Sequence, residues 1–195
     1  EALFEYHLYT LERRTDVMDR QQKQILFFDA DGVGISKGYA LRGVPQAFQS
    51  PGYRSNDAEP VDVTLSFKNS RDNGLGMPVP QGIVRVYKKD KSGAEQFVGE
   101  DSIDHTPKDE TLRLHVGDAF DVVAERAQTD FKVVSPRQNE SAWTISLRNR
   151  KDEDVTVVVR EPMGGDWTLM SSSVPGKKID QQTLEFPVPV PKGKE

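Results

Sequence analysis

Residues 61–110 read VDVTLSFKNSRDNGLGMPVPQGIVRVYKKDKSGAEQFVGEDSIDHTPKDE, and this stretch decides the fold. Val61, Val63, Leu65 and Phe67 alternate with Asp62, Thr64, Ser66 and Lys68, the period of a strand with one buried face. Asn69, Asp72 and Asn73 then supply turn chemistry, and Gly74, Gly76, Pro78 and Pro80 keep the next segment out of regular structure. Strand character returns over 83–87 and 96–103, with Lys91, Ser92 and Gly93 as the turn between. The stretch spells a fold and no reaction.

Upstream, Phe4, Tyr6 and Leu8 alternate with Glu5, His7 and Tyr9, which predicts a first strand, and 11–24 reads as a polar, extended connection. Ile25, Leu26, Phe27 and Phe28, closed by Asp29, Ala30, Asp31 and Gly32 and followed by 35–41, predict a hairpin. Residues 43–60, with Pro45, Pro51, Gly52 and Pro60, predict a long loop. Downstream, alternation marks strands over 111–116, 122–134, 143–147, 155–159, 167–170 and 183–190. In the last of these Pro187 and Pro189 oppose Leu184, Phe186, Val188 and Val190; proline donates no ladder bond, so an edge strand is expected. Apolar residues nowhere keep a helical period beyond a turn.

The expected fold is therefore all-β, with little or no helix. TLSFKN at 64–69 echoes TISLRN at 144–149, each followed by a charged turn. With the change of character after Gly117, the echo predicts tandem immunoglobulin-like antiparallel β-sandwich units, 1–117 and a smaller 118–195.

Composition narrows the function classes. The 195 residues carry a net charge of −5, with basic residues scattered among acidic ones, which argues against a nucleic-acid partner. No apolar run approaches the length of a membrane span. Cysteine is absent, which excludes disulfides and thiol catalysis. Beginning at Glu1 without a methionine or signal peptide, the chain reads as a processed or excised fragment.

NSRDNGLGMPVPQGIVRVYKKD, QFVGEDSIDHTPKDE and FDVVAERAQTDF, with RNRKDEDVTVVV and DW further on, resemble the C-terminal β-rich region of bacterial mucoidy-inhibitor-like proteins, a domain-of-unknown-function family. The resemblance runs from about Tyr6 to Val190. It implies an exported protein of the periplasm or cell envelope, preceded by a signal peptide and a coiled coil through which copies self-associate. It carries no catalytic residue across.

The candidate chemistry is sparse. Asp29, Asp31 and Gly32 begin like a calcium loop, but its twelfth position is Ala40 rather than a bidentate Glu, so a turn is the reading. Glu100, Asp101, Asp104, His105, Asp109 and Glu110 are the densest group of possible ligands; Asp101, Asp104 and His105 are the metal candidates, set against Asp104 and Thr106 capping a turn before Pro107. His7 and His115 lie on charged strand faces, and Ser171, Ser172 and Ser173 have no elbow around them. Arg13 with Arg14, and Lys177 with Lys178, read as solvated pairs. Trp143 shares parity with Ile145 and Leu147 and is placed in the core; Trp167, after Gly164 and Gly165, is a candidate contact ring. Leu75, Met77 and Val79 sit in a segment barred from sheets, as a lid over the core or as a binding patch.

Two functions are compatible with these residues. One is a non-catalytic bacterial envelope module, a rigid β-scaffold for a protein or surface-polymer partner, needing no cofactor. The other is a hydrolase of envelope carbohydrate using Asp101 and Asp104 as its carboxylate pair.

Overall fold

The computed structural model describes residues 2–4, 6–10, 14–48, 50–54 and 58–195, with backbone alone at 2, 3, 6, 7 and 46. The strands are β1 (Ala2–Leu3), β2 (Tyr6–His7), β3 (Ser36–Arg42), β4 (Asp62–Lys68), β5 (Gly82–Lys89), β6 (Glu95–Ile103), β7 (Thr111–Asp118), β8 (Val122–Ser135), β9 (Gln138–Asn149), β10 (Val155–Pro162), β11 (Lys177–Lys178) and β12 (Thr183–Val190). The helical pieces among the described residues are two 3-10 turns, Pro45–Phe48 and Arg71–Asn73. The chain is all-β.

Alternation translates directly into burial. Val155, Val157, Val159 and Glu161 of β10 point inward while Thr156 and Arg160 are exposed, and Tyr39 and Leu41 of β3 repeat the pattern. Six strands pair in the order β11-β12-β10-β3-β4-β7. The base of the β8–β9 ribbon lies across this sheet, so that Val122, Ala124 and Leu147 share one core with Tyr39, Leu41, Val61, Val155, Val157, Val159 and Val190. Each fully buried aliphatic side chain contributes about 1.5–3 kcal/mol. The loop expected over 43–60 is partly a third row of this upper layer. Glu59 N–H donates to Ala124 O at 2.8 Å, and Gln128 N–H to Tyr53 O at 2.9 Å.

This architecture corrects the expected division at Gly117. β3 and β4 share a sheet and a core with β10 and β12, and β3 runs parallel to β10, Val157 opposite Tyr39. The remaining pairs are antiparallel. The physical reason is simple: alternation fixes which face of a strand is buried, and not which strand lies beside it. A parallel pair needs a long crossover, and here everything from Gly43 to Asp154 supplies it.

Two expected strands are absent and a third is cut short. Residues 25–28 form none; Phe27 instead stacks edge-on against Tyr9 and Phe28, at 4.7 and 5.4 Å between ring centres. Residues 167–170 are irregular. The strand expected near the start is a two-residue hairpin, Ala2 opposite His7, turned at Phe4 with φ of 56°; Glu5 and the His7 side chain lie outside the described residues, as does Arg13. β12 meets β10 along its whole length but β11 only at Leu184 and Glu185, so Pro187 and Pro189 sit where its outer edge has no described neighbour.

The echoed hexapeptides end in the same device. Asn69 and Asn149 are both fully buried. The Asn69 amide donates to Met77 O at 2.6 Å and Pro107 O at 2.9 Å, and its oxygen accepts Gly76 N–H at 3.0 Å. The Asn149 amide donates to Glu153 O at 2.8 Å and Val190 O at 3.0 Å, and its oxygen accepts Lys151 N–H at 3.0 Å. Each plug satisfies three backbone groups at a strand end, where the ladder has run out.

Candidate functional site

The β5–β6 ribbon is a two-stranded sheet separate from the six-stranded one. Asp90 organises its turn: one carboxylate oxygen accepts Ser92 N–H, the Ser92 hydroxyl and Ala94 N–H, and the other accepts the Gln96 amide at 2.9 Å. These bonds, led by the Ser92 hydroxyl and Gln96, hold the Asp90 carboxyl down to about 2. Gly93 takes the left-handed conformation the turn requires, φ 87°. Val84, Val86, Gly99, Asp101 and Ile103 form the half-buried face of the ribbon. Gly99 is where the ribbon crosses β7; a Cβ there would stand 2.4 Å from Val116 O.

The opposite face is apolar and wet. Tyr87 pairs with Phe97 across the ribbon, rings 5.7 Å apart and edge-on; a bulge turns Phe97 to this side, which Val98 already shares with Glu100. Ile83 continues the face beyond the Arg85–Glu100 ion pair of 3.0 Å. Exposure runs from 46% at Val98 to 60% at Ile83, high for four large apolar side chains on one surface.

Residues 70–81 lead into this ribbon. Leu75 and Val79 are half-buried and Met77 is 40% exposed. Val79 exchanges backbone hydrogen bonds with Thr106, 2.9 Å each way. Trp167, half-buried, donates from its indole to Gln181 O at 2.8 Å, and Lys178 lies 4.6 Å above its ring. Trp143, expected in the core, is half-buried and packs on Phe48 and Tyr53.

Asp101, Asp104 and His105 do not converge. Asp101 accepts Ser102 N–H and His115 N–H, at 2.8 and 2.7 Å. His105 Nδ1 accepts Gln81 N–H at 3.3 Å, and the Asp104 carbonyl accepts the Thr106 hydroxyl at 2.9 Å. A different polar group assembles at the foot of the ribbon: Asp62 on β4, His115 and Asp118 on β7, with Arg42 on β3. His115 Nε2 stands 3.3 Å from Asp62 Oδ1 and 3.9 Å from Asp118 Oδ1, and Arg42 Nε donates to Asp62 Oδ2 at 2.6 Å. Strand alternation alone separates His115 from Asp118, so the sequence gives no sign of this cluster.

A second ionic group is sealed inside. Arg126 is 1% exposed; its Nε donates to Glu59 Oε2 at 3.1 Å and its Nη1 to Glu161 Oε1. Burial pulls the Arg126 guanidinium down, and Glu161 and Glu59 more than reverse it, so its pKa lies above the ordinary value. Burial pushes the Glu161 carboxyl up, and Arg126 offsets this only in part. Burial, then the Glu59 charge, raises the Tyr53 hydroxyl. The signal was present in the sequence: Arg126 shares parity with Val122 and Ala124, and Glu161 with Val155, Val157 and Val159, a cation and an anion on two apolar faces.

No protein family, curated protein or solved structure matches the chain. No helix is long and apolar enough to cross a membrane among the described residues.

Proposed function

We propose that this chain is a non-catalytic binding module of the bacterial envelope, a rigid β-scaffold that presents the β5–β6 ribbon to a protein or surface polymer. The observation that carries the reading is the apolar face of Ile83, Tyr87, Phe97 and Val98, exposed together on one side of a ribbon anchored at Gly99. Aromatic side chains on a preformed surface lose little freedom on binding, which is why such residues dominate interface energetics. Met77, 40% exposed, and the half-buried Trp167 are separate candidate contacts. The envelope setting, with self-association through an upstream coiled coil, rests on the family resemblance.

The carbohydrate-hydrolase reading has weaker support. Both Asp101 oxygens are committed to backbone N–H groups. The open groove of 390 Å³ beside β3, β4 and β7 is lined by a single carboxylate, Asp72, where glycoside hydrolysis uses two across one cleft.

The test is co-sedimentation of the whole chain with washed bacterial envelopes, for wild type and for Tyr87→Ala/Phe97→Ala. Wild type binds, and the double variant binds at least about tenfold more weakly, as loss of two anchor residues requires. Protease treatment of the envelopes separates a protein partner from a polymer. Equal binding by the two chains removes the ribbon from the function.

A further inference from the structure

β4 and β7 pair regularly from Lys68 opposite Thr111 to Thr64 opposite His115, and then slip. Val63 faces Gly117 and Asp62 faces Asp118, which leaves Val116 as the extra residue of a bulge, with Gly117 at φ 126°. Uninterrupted alternation would send His115 and Asp118 to opposite faces. The bulge returns Asp118 to the face that holds His115 and Asp62. A carboxylate oxygen of each aspartate and a ring nitrogen of His115 then lie within 4.8 Å of one another.

We propose that Asp62, His115 and Asp118 bind a divalent transition-metal ion of the Zn²⁺ class. Ligands about 2.0–2.2 Å from a tetrahedral ion stand roughly 3.3–3.6 Å apart. Nε2 and Asp62 Oδ1 already have that spacing at 3.3 Å, and Asp118 Oδ1, at 3.9 Å from Nε2, belongs to an exposed side chain that can close the difference. Arg42 occupies Asp62 Oδ2 and leaves Oδ1 for the ion, the kind of outer hydrogen bond that orients a ligating carboxylate. Asp101 Oδ2 accepts the backbone N–H of His115 at 2.7 Å and so ties the β7 backbone at the ligand to the ribbon. The imidazole nitrogen selects a transition metal over Ca²⁺ or Mg²⁺, which prefer all-oxygen shells. The open side of the cluster leaves the fourth position to water. Since Asp101 belongs to β6 and the ligands to β4 and β7, the ion would sit where the ribbon joins the sheet.

The experiment is calorimetric titration of Zn²⁺ into the whole chain at neutral pH, repeated for His115→Gln, Asp118→Asn and His105→Gln and with Ca²⁺. Wild type and His105→Gln take up one equivalent of Zn²⁺ with the same affinity. His115→Gln and Asp118→Asn bind at least about tenfold more weakly, and Ca²⁺ gives no saturable heat. Absence of saturable Zn²⁺ binding, or wild-type affinity in His115→Gln, overturns the site and leaves an exposed histidine–carboxylate ion pair. Should circular dichroism show His115→Gln unfolded, Asp118→Asn decides, because its side chain is on the surface.

Discussion

Replacing Arg126 by Met tests the buried ionic group most severely. The change keeps an unbranched apolar stem and removes the charged head, leaving Glu59 and Glu161 without their cation in a site where Arg126 is 1% and Glu161 5% exposed. Breaking a buried pair by removing one partner costs about 3–5 kcal/mol. For a chain of this length that lowers the melting midpoint by about 6–20 °C. Glu161→Gln behaves differently. Two carboxylates share one guanidinium, and Glu161 Oε2 is buried beside Gly43 with no hydrogen-bond partner among the described residues. The amide keeps the bond from Arg126, exchanges one unpartnered polar atom for another and removes a buried negative charge, so stability stays within about 1 kcal/mol or rises. The pH dependence has a definite sign. Glu161 has its folded pKa raised above the ordinary 4.5, so its favourable contribution is complete below that value and is lost as pH rises through the folded pKa. Urea melts of wild type and Glu161→Gln across this range show the variant gaining relative to wild type as pH rises from about 4.5. A loss below about 1 kcal/mol in Arg126→Met, or a Glu161→Gln variant as unstable as Arg126→Met, refutes the electrostatic account.

Other substitutions probe the joints of the fold. Asn69→Ala leaves Met77 O, Pro107 O and Gly76 N–H without their partner and costs about 2–4 kcal/mol in urea melts. Gly99→Ala drives a Cβ against Val116 O and costs about 1–3 kcal/mol, whereas Gly82→Ala on the same ribbon, with open space around it, stays within about 0.5 kcal/mol. Met77→Ala, at a 40% exposed position, also stays within about 0.5 kcal/mol; a loss of about 2 kcal/mol or more makes the 70–81 loop a lid over the core.

Strand positions were readable because apolar and polar residues alternate along β4, β10 and β12 and along β7 up to its bulge, and in β10 and β12 burial follows the same period. Which strands pair was not. Val157 meets Tyr39 in parallel through a crossover of more than a hundred residues, and no local pattern specifies that. The apolar run at 25–28 looked like a strand because its four residues are hydrophobic, yet Leu26 is 77% exposed and Phe27 finds its partner in Tyr9. The ribbon was legible as two strands and a turn, while its outward apolar face was not, since Phe97 reaches the Tyr87 side only through a bulge. The Asp62–His115–Asp118 group was hidden by a second bulge. In both places one extra residue reverses the face that alternation assigns.

The central structural claim is that residues on both sides of Gly117 form one cooperative body, held by the β3–β10 pairing and a shared core. Native-state hydrogen exchange measured residue by residue tests it most directly. The amides of β3, β4, β10 and β12 and of the base of β8 should exchange with one common opening free energy, equal to that of global unfolding. Two distinct opening energies, one for strands before Gly117 and one for strands after it, would contradict the account.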